Sequence, residues 1–180
     1  MSKALVLMNT QYAYLMQKGR LYLGSSVDAY KSSLESSISW AKDNGWLVFC
    51  VVEVRSPEDE YFRNQKSACF VGSEDIRIPD YIGLACGDRL IKSSRPDAVH
   101  VSPLAGLLKR AGAEVVAVCG VETQTAVMLT AHSLKSGYFP TEVKVVEPLC
   151  LSRDSYLHGA AVSIMANSLG LEIVDELRSL

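Results

Sequence analysis

Several features that would place a protein in a specialised class are absent from this sequence of 180 residues. It contains no apolar run long enough to span a bilayer, and its first apolar stretch, residues 4–8, is too short for the core of a signal peptide. The formal net charge is only −2, without the basic field that nucleic-acid-binding proteins use. These absences predict a cytoplasmic globular protein whose partners include neither nucleic acid nor a membrane.

Patterns that bind metals or phosphates are also missing. The five cysteines are an odd number without a Cys-x-x-Cys pair, which fits neither a disulfide framework nor a zinc site. Glu53, Glu58 and Asp59 could hold a hard cation, but a charge run in a long loop is usually a solvated surface. No glycine-rich phosphate loop follows a predicted strand. We therefore expect no metal and no cofactor. Three of the cysteines, Cys50, Cys119 and Cys150, lie in or beside strand-like runs, and we expect them to be small buried hydrophobic residues.

Strand-like and helix-like segments alternate along the chain. This alternation predicts one domain, residues 1–180, with a three-layer α/β/α fold around a six-stranded, mainly parallel, Rossmann-like sheet. Residues 55–88, which we call the excursion, are too long for an ordinary loop and are expected to carry function or an interface. The predicted strands are 4–8, 46–54, 89–92, 115–119, 143–147 and 171–174, and the predicted helices are 27–42, 103–109, a segment from 123 onward, and 155–167.

Ligands of parallel sheets bind beyond the carboxyl ends of the strands, so the residues that follow the predicted strands are the candidates for a site. Within residues 114–131, a strand turns sharply into a helix, whose free N–H groups could hold an oxyanion. Ala126 lies on that first helical turn and carries no reactive group. The other candidates are Asn9, Gln11, Glu53, Arg55, Lys92, Val121, Glu122 and Thr125.

Four segments together resemble the isochorismatase-like superfamily, which includes nicotinamidases and other amide-cleaving cysteine hydrolases. The family's opening strand and its aspartate–x–glutamine turn are similar to LVLMNTQYAY. The strand that delivers the family's lysine is similar to DRLIKSSRPDAV, and the glycine–valine–x–threonine–x–x–cysteine helix start is similar to GVETQTAVMLTA. The closing strand and helix are similar to SGYFPTEVKVVEPLCLSRDSYLHGAAVSIM. The order and spacing of these segments cover nearly the whole chain.

The resemblance implies a catalytic triad in which only one side chain is kept. Lys92 falls at the family's lysine position, whereas Asn9 stands at the aspartate position and Ala126 at the cysteine position. A carboxamide is not a general base, and alanine forms no thioester. The resemblance also implies a cis peptide bond between Val121 and Glu122, which would turn N–H groups toward an oxyanion. Ligand contacts would come from Gln11, Glu53, Arg55, Val121, Glu122 and Thr125.

Other nucleophiles are weaker candidates. Cys69 or Cys86 could swing from the excursion toward the pocket. Thr123 and Thr125 lie near the helix start, where we expect capping residues without an adjacent base. We expect surface or hydrogen-bonded structural positions for the remaining candidates, His132 and His158.

Two hypotheses follow from these residues. The first is a catalytically impaired member of the family, a pseudoenzyme that binds a small molecule or serves as a subunit of a homo-oligomer. The second is an active hydrolase of amide C–N bonds that uses unorthodox groups, or a Cys-to-Ala variant of such an enzyme. For the oligomer, we expect aromatic residues of the excursion either to lie at subunit contacts or to pack onto their own domain: Tyr61, Phe62, Phe70 and Tyr81.

Overall fold

The computed structural model describes residues 1–87, 89–137 and 142–180. Its centre is one six-stranded sheet in which every pair of neighbouring strands is parallel, in the order β3-β2-β1-β4-β5-β6. The predicted fold class is thereby confirmed. The strands are β1 (Ser2–Met8), β2 (Leu47–Glu53), β3 (Leu90–Ser93), β4 (Ala113–Val121), β5 (Glu142–Leu151) and β6 (Glu172–Val174).

The α-helices of the described residues form two groups around the sheet. Right-handed crossovers put the helices that precede β2 and β3 on one face, and those that precede β4, β5 and β6 on the other. Among these described residues, no helix is long and apolar enough to cross a membrane. The helices are α1 (Tyr12–Leu15), α2 (Val27–Asp43), α3 (Asp80–Cys86), α4 (Ala98–Val101), α5 (Leu104–Arg110), α6 (Met128–Ser136) and α7 (Ser155–Asn167).

Hydrophobic spacing decides most of these elements. The helix α2 buries a stripe at positions three or four apart, as the sequence predicted, because those side chains share one face of a 3.6-residue helix. The central strands β1 and β4 are buried along nearly their whole length, as expected for strands covered on both faces. The buried residues of α2 are Val27, Tyr30, Leu34, Ile38 and Ala41.

The excursion leaves the end of β2 and returns to it. Arg55 pairs with Phe70 in an isolated parallel bridge, where the Arg55 N–H donates to the Cys69 carbonyl at 2.9 Å. Between these points lies a 3-10 turn at Glu60–Phe62, and beyond them a second one at Glu74–Ile76 and the helix α3. Asp88, the last residue of the excursion, lies outside the described residues.

The aromatic residues of the excursion pack mainly onto their own domain. Phe62 is buried, and Phe70 and Tyr81 are partly buried, whereas Tyr61 is largely exposed. Of the two alternatives that the sequence left open for this group, packing onto the same domain describes three of the four side chains.

Candidate functional site

The strand order reverses between β1 and β4, because the chain runs outward from β1 to β3 on one side and from β4 to β6 on the other. In such sheets the crevice at the reversal is where ligands bind. Gly120 lines this crevice and has φ +122. A Cβ atom there would lie 2.1 Å from the carbonyl oxygen of Met8, so only glycine lets the two strands approach. The next peptide bond but one, Val121–Glu122, is cis, as predicted.

Asn9 occupies the end of β1 in a left-handed conformation, with φ 51. Asparagine tolerates this region better than most residues. Its backbone N–H donates to the Val51 carbonyl at 2.8 Å, and the residue is only 6% exposed. The Asn9 side chain makes no hydrogen bond with another described residue, so the carboxamide is buried at the switch point without capping the turn at the strand end.

Ala126 lies on a single π-helical turn, Thr123–Val127, that leads into α6. The turn begins directly after the cis bond, and the N–H of Val127 donates to the Glu122 carbonyl at 3.3 Å. Ala126 is 1% exposed. Its methyl group therefore packs into the core at the position where the resemblance places a nucleophile, while Thr125 beside it is half-buried.

Lys92 lies on β3, the edge strand of the sheet, in register with Val52 of β2. Two strand spacings separate β3 from β1, or about 10 Å. The lysine is exposed, and its ammonium group makes no ion pair with another described residue. The structure thus brings Asn9 and Ala126 to neighbouring strand ends, with Lys92 two strands away. Their catalytic assignment remains a prediction from the resemblance.

Gln11 is fully buried and is committed to the backbone of the protein. Its Nε2 donates to the carbonyl oxygens of Glu53 and Asp75 at 3.0 and 3.2 Å, and its Oε1 accepts the Glu53 N–H at 2.7 Å. Cys69 Sγ lies 3.4 Å from the same nitrogen. These hydrogen bonds connect the end of β1 to β2 and to the excursion. The polar atoms of the Gln11 side chain are therefore bonded to the protein itself.

Glu53 and Arg55 form a buried ion pair. Nε of Arg55 donates to Glu53 Oε1 at 2.8 Å, Nη2 lies 2.8 Å from the same oxygen, and Nη1 donates to the carbonyl of Lys66 at 2.9 Å. The Tyr14 hydroxyl donates to the other carboxylate oxygen of Glu53 at 2.5 Å. Burial raises the pKa of Tyr14 well above its ordinary value, so the hydroxyl stays a donor.

Glu122 is a half-buried carboxyl beside the crevice. Burial raises its pKa, and the nearby charge of Arg153 partly offsets that effect. Gln124 Nε2 donates to Glu122 Oε2 at 3.3 Å, and the Ser152 hydroxyl donates to Gln124 in turn. The other half of the same cis bond, Val121, is fully buried. Glu122 is thus an ionisable group directly before the π-helical turn, and burial raises its affinity for a proton.

The prediction that Thr123 has no base beside it is wrong. The Thr123 hydroxyl lies 2.9 Å from Nδ1 of His158, whose Nε2 lies 3.7 Å from Glu147 Oε1. Thr123 is fully buried, and this row of groups joins the helix start to α7 and to the partly exposed Glu147. The contact was hidden by sequence separation: the two positions are 35 residues apart, and only the folding of α7 across the end of β4 joins them.

None of the five cysteines forms a disulfide bond and all five are buried, as the sequence predicted for Cys50, Cys119 and Cys150. Burial raises the pKa of Cys69 and of Cys119, and it raises the pKa of Cys150 to about 12. The Cys86 thiol donates to the carbonyl of Gly83 at 3.7 Å. A thiol must ionise to attack a carbonyl carbon, so these environments disfavour nucleophilic chemistry at Cys69, Cys119 and Cys150.

Comparison with known proteins relates this architecture to a known domain family and to solved structures. A sequence model of the isochorismatase domain matches residues 3–175. Pyrazinamidase/nicotinamidase from Streptococcus mutans UA159 is 20% identical, with a TM-score of 0.84 over 96% of this chain and 100% of that one. N-carbamoylsarcosine amidase from Thermoplasma acidophilum is 20% identical, with a TM-score of 0.82 over 98% and 99%. At these identities the likeness shows the fold. No curated protein sequence matches the chain significantly.

A third similar structure is a pyrazinamidase from Pyrococcus horikoshii in complex with zinc, 20% identical with a TM-score of 0.80 over 98% of this chain and 100% of that one. At the end of β2 in the present chain, the side chains of Glu53 and Arg55 do not suit a zinc ion. Glu53 is already bound by a guanidinium there, and Arg55 cannot ligate a cation. Over the three described ranges, no cluster of three or more histidine, cysteine, aspartate or glutamate side chains could hold a metal ion.

Proposed function

The chain belongs to the isochorismatase domain family, and on that premise we propose that it is a catalytically impaired member that binds a small molecule without hydrolysing it. The observation that carries this proposal is Ala126, a buried methyl group on the first turn after the Val121–Glu122 cis bond. The family resemblance places a nucleophile at that position, on the turn that follows β4. The backbone scaffold is kept there, and the reactive group is not.

The second support is Asn9. A carboxamide cannot accept a proton near neutral pH, so it cannot generate a thiolate or activate a water molecule. Joint replacement of the base and the nucleophile removes both routes that the family resemblance implies, covalent attack and proton donation. The cysteines offer no substitute, because burial raises the pKa of the thiols closest to the site.

The test is ammonia release from carboxamides. We expect the protein to release no ammonia from nicotinamide, pyrazinamide or N-carbamoylsarcosine above the level of a Lys92→Ala variant. We also expect the double variant Asn9→Asp/Ala126→Cys to gain activity or to form a thioester detectable by mass spectrometry. Ala131→Cys is the matched control, because it adds a cysteine at a buried position of α6 away from the helix start. Turnover by the unaltered protein would overturn the proposal. It would favour the second hypothesis, an active hydrolase that uses unorthodox groups.

We also propose that the protein is a homo-oligomer that uses α7. This helix of 13 residues contains no Lys, Arg, Asp or Glu, and only Ala161 and Met165 are buried. Tyr156, Leu157 and Ile164 are exposed on it. A two-fold contact sets each residue against a second copy of the same surface, so a surface without like charges suits a second copy of this chain.

Light scattering tests the oligomer directly. We expect a mass above that of one chain, and we expect Ile164→Asp to lower it. Val71→Asp is the control, because Val71 is 70% exposed in the excursion, far from α7 in sequence. A monomeric mass for the unaltered protein, or equal masses for all three proteins above the monomer, would exclude α7 as the contact.

Two further parts of the proposal concern the chain as a whole. One contiguous core of buried residues runs from Ala4 to Leu177, which supports a single isochorismatase-like domain over residues 1–180. Five cysteines without a disulfide bond fit a reducing compartment, which supports a cytoplasmic location. Limited proteolysis and localisation of a tagged chain are the direct measurements.

A further inference from the structure

A cavity of about 410 Å³ lies where the excursion leaves β2. Volumes of a few hundred Å³ suit small organic ligands. The cavity is open to solvent and is separate from the buried positions Asn9 and Ala126, which do not line it. The lining residues that matter for recognition are Arg55, Glu58, Phe62, Arg63, Lys66 and Phe70.

One wall of the cavity is cationic. Arg55 is 5% exposed, and its guanidinium is fixed by Glu53 and by the carbonyl of Lys66. The two hydrogen bonds use two of the five N–H groups of the arginine, which leaves one on Nη1 and both on Nη2. Lys66 also lines the cavity. Its ammonium group is exposed and pairs with no carboxylate among the described residues.

The opposite charge comes from residues 58–60. Two of these three carboxylates are already matched: Asp59 binds Arg95 through both its oxygens, and Glu60 pairs with Arg63. Glu58 accepts the hydroxyl of Ser56, and this bond, with one from a backbone N–H, lowers the pKa of Glu58. In the described part of the chain, Glu58 makes no ion pair, with Lys66 or with any other cation.

The cavity therefore has equal numbers of cationic and anionic lining residues, and the charges left unmatched are one of each sign. A simple anion would be attracted by Lys66 but repelled by the unpaired Glu58. A simple cation would be attracted by Glu58 but repelled by Lys66. A molecule with both charges matches both groups. Phe62 and Phe70 add apolar surface between them, and the Arg55 guanidinium lies 4.3 Å from the centroid of the Phe62 ring.

We propose that this cavity binds a small amino-acid-like zwitterion, with its carboxylate toward Lys66 and Arg55, its ammonium toward Glu58, and an apolar side chain against Phe62 and Phe70. The proposal rests on the proposed ligand-binding function and names the class of ligand. It assigns recognition to the excursion, and it requires no group at the Asn9 or Ala126 positions.

Three probes of nearly equal shape test the charge requirement: L-phenylalanine, 3-phenylpropanoate and 2-phenylethylamine. Calorimetric titration of the whole protein should show the tightest binding for L-phenylalanine. Each analogue that lacks one charge should bind about two- to fivefold more weakly, the range expected for losing one exposed ion pair. No binding of L-phenylalanine, or equal binding of either analogue, would overturn the proposal.

Two variants separate the two ends of the ligand. In Lys66→Met, the preference for L-phenylalanine over 2-phenylethylamine should shrink, because the carboxylate loses the Lys66 ammonium and keeps only Arg55. In Glu58→Gln, the preference over 3-phenylpropanoate should disappear instead. Lys109→Met and Glu114→Gln are the matched controls on α5 and β4, where the same exposed residue types are far from the cavity. Loss of preference in the controls, or unchanged preferences in Lys66→Met and Glu58→Gln, would contradict the assignment.

Ammonia assays on the same samples keep the two proposals apart. Binding that depends on Lys66 and Glu58, without ammonia release from carboxamides, supports both. The same binding together with ammonia release refutes catalytic impairment and leaves the cavity assignment standing. Catalytic silence without selective binding of L-phenylalanine refutes the cavity assignment alone.

Discussion

Gln11 and Glu53 are joined by two hydrogen bonds in opposite directions. The Gln11 side-chain nitrogen donates to the Glu53 carbonyl at 3.0 Å, and the Glu53 N–H donates to the Gln11 side-chain oxygen at 2.7 Å. A side-chain amide thus takes the place of a backbone amide and extends the pairing of β1 with β2 beyond Met8. The end of β2, from which Glu53 and Arg55 project, is held in place by this contact.

Gln11→Ala should therefore act on stability. It leaves the buried Glu53 N–H and the Asp75 carbonyl without their partner, which costs about 1–3 kcal/mol for a buried unsatisfied group. Urea unfolding measures the loss, and Gln17→Ala at an exposed position is the control. A stability within experimental error of the unaltered protein would show that the contact does not hold the strand end.

Arg55→Met should be more costly, because it leaves the Glu53 carboxylate buried without a counter-charge. The expected loss in unfolding free energy is about 3–5 kcal/mol. The exposed pair of Arg63 and Glu60 provides the comparison, since Arg63→Met should cost no more than about 1 kcal/mol. In a double-mutant cycle, adding Glu53→Gln to Arg55→Met should cost less than it does alone. Additive losses would mean that the two side chains are not coupled.

Glu122→Gln should change how stability depends on pH. Burial raises the pKa of Glu122 in the folded protein above its ordinary value, so the folded state holds the proton more tightly than the unfolded chain. The resulting stability is present at low pH and is lost as pH rises through the folded pKa. The variant should thus be more stable than the unaltered protein at pH 7 to 8, and the difference should vanish toward pH 4. A constant difference across urea titrations at these pH values would exclude this origin.

Tyr81→Phe should be neutral or stabilising. The Tyr81 hydroxyl is buried and has no hydrogen-bond partner among the described residues, and burial raises its pKa to about 12. Removing a buried unsatisfied hydroxyl should recover about 1 kcal/mol. Tyr156→Phe, at an exposed tyrosine of α7, should leave the melting temperature unchanged. A clear loss of stability in Tyr81→Phe would show that the hydroxyl has a partner.

Local patterns were sufficient for the fold. The buried stripe of α2 and the apolar strands around the switch point are set by hydrophobic spacing, which depends only on neighbours in sequence. The helix α7 was predicted with its observed bounds for the same reason. Three strands, β1, β4 and β5, are longer than predicted, whereas β2 and β6 are shorter. In β4, strand pairing stabilises Gly120, whose own preference is not extended.

The contacts around the site were less predictable, because they join residues far apart in the chain. Sequence placed Gln11 at a strand end and suggested a ligand contact, whereas packing of the excursion surrounds its side chain with backbone groups. The sequence predicted no base beside Thr123, whereas α7 brings His158 within hydrogen-bond distance of it. The pairing of Glu53 with Arg55 was foreseeable, since both follow the same strand two residues apart.

By itself, the sequence determined the family, the order of strands and helices, and the chemical identity of the residues at the switch point. Alanine at position 126 supplies no nucleophile, and asparagine at position 9 supplies no general base, whatever surrounds them. Only the tertiary structure decided which of the other polar groups are used up and which stay available. Burial and pairing depend on distant segments, which close over Gln11, Glu53 and Thr123 and leave Lys66 and Glu58 facing an open cavity.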